Sequence, residues 1–134
     1  IFEDRTLTIE TIPLKHKVPT CGFLFTEHHR DKEPRKRYAY CSDTAYREQI
    51  VEQIAGVEVL FHEATYTEKD ADKCKKHTHS TAKQAAQIAK LAGAGKLVIG
   101  HFSAREDDHQ VFLNEAREVF ENTVLAVEKE TIEL

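Results

Sequence analysis

The 134-residue chain has no methionine, no tryptophan and no apolar run near the roughly 20 residues that a membrane-spanning helix requires. Nothing at its start has the pattern of a signal peptide. Cysteine is scarce: Cys21, Cys41 and Cys74 are odd in number and lack CxxC spacing, so reduced thiols in a cytoplasmic protein are the simplest reading. Excess positive charge is missing too. With 19 basic against 23 acidic side chains the net charge is −4, which does not suggest a nucleic-acid binder, although a local patch could still bind. No repeat, low-complexity tract or interdomain linker is present. The 40% hydrophobic and 31% charged composition can bury a modest core and fits one domain, or a piece of one. Residues 1–134 open at Ile1, already inside a strand-like pattern, and are expected to be a single partial domain.

What is present is a set of short apolar runs ending in polar, chemistry-bearing residues. Leu97-Val98-Ile99 meets Gly100 and then His101. Tyr38–Cys41 leads into Ser42-Asp43-Thr44, and Val57–Phe61 leads into His62-Glu63. Runs of this length bounded by turn residues read as buried strands. Further strands are expected over Arg5–Glu10, Gly22–Thr26 and Thr123–Val127, with Pro13, His16 and Pro19 in a loop or edge. Helices are expected from the Ser42-Asp43-Thr44 cap through Tyr46, Ile50, Val51, Ile54 and Ala55 to Gly56, from Ser80-Thr81 through the Ala82–Ala92 stripe to Gly93, and after Asp107/Asp108. The polar stretch from Thr65 to Thr78 allows a helical turn. This order implies an α/β fold with a mixed sheet, its strand ends converging on one edge. In such sheets chemistry collects beyond the carboxyl ends of the strands.

His16, Asp43 and His101 are donor types that zinc accepts. Asp43 reads equally as a helix N-cap and His16 as an ordinary loop histidine. His101, following a buried strand, needs partners for its ring nitrogens. Glu63 and His79 form a second group: His79 could protonate a leaving oxygen while Glu63 orients it, with a phosphate at the helix end beside Ser80. An accidental capping sequence is the alternative. His62 should pack away from Glu63, and His28, His29, His77 and His109 are expected to be solvated. The run containing Arg30, Lys32, Arg35, Lys36 and Arg37 is an exposed connection that could bind RNA weakly and in a salt-sensitive way.

Five segments taken together carry a resemblance: Pro13–Phe23 (PLKHKVPTCGF), Cys41-Ser42-Asp43-Thr44, His62-Glu63-Ala64-Thr65, His79-Ser80-Thr81 and Gly100–Arg105 (GHFSAR). In this order the chain resembles ribonuclease Z, the tRNA 3′-end processing endonuclease of the metallo-β-lactamase fold. The resemblance implies an αββα sandwich of which only the carboxyl-terminal half is present, a mixed sheet flanked by helices. It implies His16 as a ligand of one zinc, Asp43 as the carboxylate bridging two, and His101 as a ligand of the second. Glu63 and His79 would relay the proton to the leaving oxygen, Ser80, Thr81 and Arg105 would bind substrate, and precursor tRNA would be the partner.

The departures are informative. The family's His-x-His-x-Asp-His motif is absent, so this chain alone is expected to hold no zinc or an incomplete site, and to be inactive. Only charged residues stand where short-form members insert a tRNA-gripping arm, and Glu106 replaces a tyrosine. Two other expectations stay open: hydrolysis of a different small ester or phosphodiester on the same fold, and a non-catalytic half-domain that pairs into a homodimer by burying an apolar sheet face.

Overall fold

The computed structural model describes residues 2–28 and 35–134. Seven strands form one mixed sheet in sequential order: β1 (Phe2–Glu3), β2 (Leu7–Pro13), β3 (Cys21–Glu27), β4 (Arg37–Cys41), β5 (Val59–Glu63), β6 (Lys96–Gly100) and β7 (Thr123–Leu125). β1 to β4 pair antiparallel, and β4 to β7 pair parallel. Between β5 and β6 lie α1 (Ala71–His77) and α2 (Ala82–Ala92); α3 (Gln110–Arg117) joins β6 to β7. One mixed sheet with helices packed on it is the arrangement expected from the sequence. Most of the charged connection, residues 29–34 with His29, Arg30 and Lys32, lies outside the described residues.

α2 shows how local sequence sets a boundary. The Thr81 hydroxyl accepts from the Gln84 N–H while the Gln84 side chain accepts from the Thr81 N–H, a capping box. Gly93 closes the helix in the left-handed conformation (φ 62°), which glycine adopts without Cβ strain. The alanine stripe Ala82, Ala85, Ala86, Ala89 is fully buried and lets α2 lie close on β5 and β6. Leu60, Leu97, Ile99, Ala39 and Cys41 face it from the sheet, and Phe112 of α3 completes the core. At Gly22 a Cβ would collide with the Tyr40 carbonyl oxygen, so β3 and β4 approach as they do only because that side chain is missing.

The other sheet face is aromatic and only partly covered. Tyr40 stacks on Phe61 at 4.8 Å and Phe25 on Tyr38 at 5.6 Å, with Phe23 and Tyr40 exposed. A groove of about 320 Å³ on this face is lined by Tyr38, Val59, Phe61 and Val98, and by Val127, Ile132 and Leu134 near the chain end.

One expected element does not form. Instead of a helix from Thr44, only a 3-10 turn at Glu48–Ile50 and further turns to Gly56 follow β4. The backbone groups that would make the first helical turn are used elsewhere: the Ala45 N–H donates to the Lys15 carbonyl, and the Thr44 carbonyl accepts from the Ser80 hydroxyl. Ile50, Ile54 and Val57 are buried all the same. Of the expected stripe, Ile50 and Ile54 are in the core, Tyr46 and Val51 pack against it partly buried, and Ala55 is exposed.

Candidate active site

Strand direction brings the expected residues together. β4, β5 and β6 run parallel, so Asp43, Glu63 and His101 emerge at one edge. β2 is antiparallel to β3, and β3 to β4, so β2 runs with β4 and sends its continuation to the same edge. That continuation is the loop carrying His16. His79 joins them from the turn between α1 and α2. Ligand atoms of Asp43, Glu63, His79 and His101 lie within 4.8 Å of one another, and the His16 ring centroid is 5.1 Å from that of His79.

Glu63 is fully buried and meets four donors. Oε1 accepts from the Thr44 N–H (2.6 Å) and from His79 Nδ1 (2.8 Å); Oε2 accepts from the Thr65 hydroxyl (2.6 Å) and the Ser80 N–H (3.0 Å). A buried carboxylate is stable only when its lone pairs are satisfied in this way. With its oxygens already occupied, Glu63 is poorly suited to ligate an ion, although its position admits it to the cluster. It suits the orientation of His79.

Each of the three imidazoles is anchored through Nδ1. His79 donates to Glu63, and His16 donates to the Thr78 carbonyl at 3.0 Å. The Thr65 hydroxyl has one proton and gives it to Glu63, so at 3.0 Å it accepts from His101 Nδ1. All three rings therefore turn Nε2 away from their anchors. For His101 that nitrogen faces Asp43, 3.2 Å from Oδ1. Fixing one ring nitrogen by a hydrogen bond so that the other is free is how metal-ligating histidines are oriented. Asp43 and His101 are about half-exposed, at 47% and 44%.

The backbone is strained at the same places. Asp43, Thr78 and His101 have φ of 58°, 59° and 59°. Left-handed conformations in non-glycine residues cost of order 1 kcal/mol each, and they concentrate where side chains must be aimed. Asp43 is accordingly no N-cap.

The remaining candidates divide. Ser80 and Thr81 are buried; Ser80 bonds Glu63 and Thr44, and the Thr81 hydroxyl donates to Glu68 at 2.6 Å. The start of α2 offers no open phosphate cradle, because the N–H groups of Thr81, Ala82 and Gln84 go to Gln84, Tyr66 and Thr81. Arg105 is exposed beside Tyr66 and His77. His62 is buried as expected, with Nδ1 donating to the Glu63 carbonyl and Nε2 unpartnered; burial lowers its pKa. His28 is not simply solvated, since its Nε2 bonds the Thr8 hydroxyl at 2.6 Å. His77 is half-buried and its pKa is lowered by desolvation and then by Lys17, Lys76, His79 and Arg105. His109 is exposed but packs on Phe102 at 4.4 Å.

The sequence offers Thr44 only as part of a helix cap and gives Thr65 and Thr78 no role of their own. The signal for Thr65 is a hydroxyl two residues beyond Glu63, at the end of a strand. The free thiols take no part: burial pushes Cys41 and Cys74 up to about 12, and Cys21 is exposed on β3.

Residues 2–102 match the family model for the beta-lactamase superfamily domain. Ribonuclease Z of Bacteroides fragilis (strain YCH46) is 41% identical over 177 aligned positions, covering 100% of this chain and 58% of that protein. Ribonuclease Z of Azobacteroides pseudotrichonymphae is 44% identical over 156 positions, covering 96% and 54%. Human tRNase Z, short form, superimposes with a TM-score of 0.79 at 28% identity, over 99% of this chain and 45% of that one. The chain thus spans little more than half the length of the curated relatives it matches. The alignment of 177 positions against 134 residues also means that the Bacteroides fragilis protein carries segments this chain lacks.

Proposed function

The chain belongs to the beta-lactamase superfamily, and from that premise we propose that it is the carboxyl-terminal half of a zinc-dependent endoribonuclease cleaving precursor tRNA at the 3′ end. The observation that carries this reading is the pairing of two unlike carboxylates at one sheet edge. Glu63 is enclosed and holds His79; Asp43 is open beside His101, with His16 one ring away. The similarity to proteins named ribonuclease Z supports an RNA substrate.

The donor set, imidazole nitrogen plus carboxylate oxygen, fits zinc. His16, Asp43 and His101 would hold it, and the bound ion would supply charge stabilisation to a phosphodiester undergoing in-line displacement. Three ligands do not complete two such sites, so this chain alone would be inactive. His79 delivers a proton from Nε2 to the leaving oxygen, its ring held by the Nδ1 bond to Glu63. Glu63 stabilises the imidazolium that forms on recharging and excludes the wrong ring orientation. Ser80 and Thr81 act through Glu63 and the start of α2 rather than on substrate, whereas Arg105 reaches it from the rim.

Among the described residues no helix is long and apolar enough to cross a membrane; cytoplasmic residence is proposed from the free thiols. The aromatic sheet face favours a second reading, in which chains such as this one pair across that face as a homodimer, and light scattering at rising concentration reads it directly. The catalytic reading is tested by His79→Ala in the intact protein. We expect loss of precursor-tRNA cleavage with bound zinc retained. Undiminished cleavage would remove His79 from the mechanism.

A further inference from the structure

Beside the cluster lies a second feature that the proposed chemistry does not use. Between α1 and the segment following β6 there is a hollow of about 450 Å³, lined by Tyr66, Lys73, Lys76, His77, Ser103 and Arg105. Its wall carries three cations, Lys73, Lys76 and Arg105, and the hydroxyls of Ser103 and Tyr66. Lys73 is held at 2.6 Å by Asp70, whose carboxylate also lies close enough to Arg105 to feel its charge. Lys76 and Arg105 form no ion pair among the described residues, and both are exposed. Lys17, on the His16 loop, lies close enough to His77 to add its charge to this region. In a chain of net charge −4, a concentration of unpaired positive charge next to the strand-end cluster is not a consequence of composition.

Tyr66 connects the two places. Its ring lies 6.2 Å from His79, edge-on, and 6.5 Å from His77. It stands between the proton-carrying imidazole and the cationic hollow, half-exposed. A phosphodiester reacting at His79 therefore has an aromatic platform and then a positively charged pocket immediately beyond it. That is the alternation a single nucleic-acid strand presents, since bases stack on aromatic rings while successive phosphates need cations.

We propose that this hollow is a second phosphate subsite. Lys76 and Arg105 hold a neighbouring internucleotide phosphate of the same strand, Ser103 donates to it, and Tyr66 stacks a base between that phosphate and the reacting one. This deepens and rests on the phosphodiesterase reading of the His79 cluster.

The test uses the intact protein, and a Lys76→Glu variant and a Tyr66→Leu variant of it. Binding of a short single-stranded oligoribonucleotide is followed by fluorescence anisotropy across a salt series, and its cleavage is followed separately. We expect Lys76→Glu to weaken binding about tenfold and to lower the salt slope by about 0.7 for the lost phosphate contact. KM for cleavage should rise with kcat little altered, and Tyr66→Leu should weaken binding with the salt slope retained. Inorganic phosphate should compete with the oligonucleotide less well against Lys76→Glu than against the unaltered protein. Unchanged affinity and slope in Lys76→Glu would overturn the subsite. Failure of the unaltered protein to hydrolyse bis(p-nitrophenyl) phosphate, a lone phosphodiester, would instead overturn the reading of the His79 cluster, and the binding series would still decide the subsite.

Discussion

Glu63 and Asp43 leave neighbouring parallel strands at the same edge, yet their surroundings are opposite. Glu63 has no exposed surface and four donors; Asp43 is about half-exposed, with a single histidine nitrogen at 3.2 Å. The difference teaches what each carboxylate is built for. One is a fixture whose lone pairs are spent on the protein. The other is a charge left for something outside it.

The largest effect should come from attacking the enclosed carboxylate. Glu63→Gln turns an amide toward a set of donors, leaving at least one buried N–H or O–H without an acceptor. We expect a loss of about 3 kcal/mol in urea unfolding of the chain, together with loss of cleavage in the intact protein. A cost below about 0.5 kcal/mol would erase the contrast with Asp43.

Thr65→Val is the next sharpest cut, since one hydroxyl both donates to Glu63 and accepts from His101. A loss of about 1–2 kcal/mol is expected. NMR of the imidazole nitrogens should show His101 no longer fixed as the Nδ1–H tautomer, and an unchanged tautomer would mean that Thr65 does not set it.

A smaller effect concerns His62, behind the enclosed side. Burial lowers its pKa below the ordinary 6.5, so below that pH the unfolded chain binds a proton that the folded chain resists. Stability contributed by the neutral ring is complete above about pH 6.5 and is lost as pH falls through the folded value. His62→Leu should flatten this acid limb of urea stability, and an equally steep limb would exclude His62 as its source.

Asp43→Asn should change stability least, within about 0.5 kcal/mol, because the group is exposed and asparagine tolerates a positive φ. A large loss of stability in this variant would make Asp43 a structural residue and break the comparison.

Much of this was legible from the chain. Alternation and turn residues located the strands within a few positions, and Ser80-Thr81 followed by an alanine stripe marked α2 because capping and close packing are local in origin. Convergence of Asp43, Glu63 and His101 also followed, since parallel strands share an edge. The helix expected from Thr44 did not form because backbone groups there are engaged by Lys15 and Ser80, distant in sequence, and local propensity carries no information about such partners. The phosphate cradle at α2 is closed by its own capping box at Thr81 and Gln84 together with the distant Tyr66 carbonyl. Thr65 was overlooked because a threonine acquires its role only when a carboxylate and an imidazole meet on either side of it.

The contrast between the two carboxylates is tested most directly by calorimetric titration of zinc into this chain and into its Asp43→Asn and His101→Ala variants. No more than one zinc per chain is predicted, with any binding weakened about tenfold or more in both variants. Two zincs per chain, or an affinity indifferent to Asp43→Asn, would contradict it.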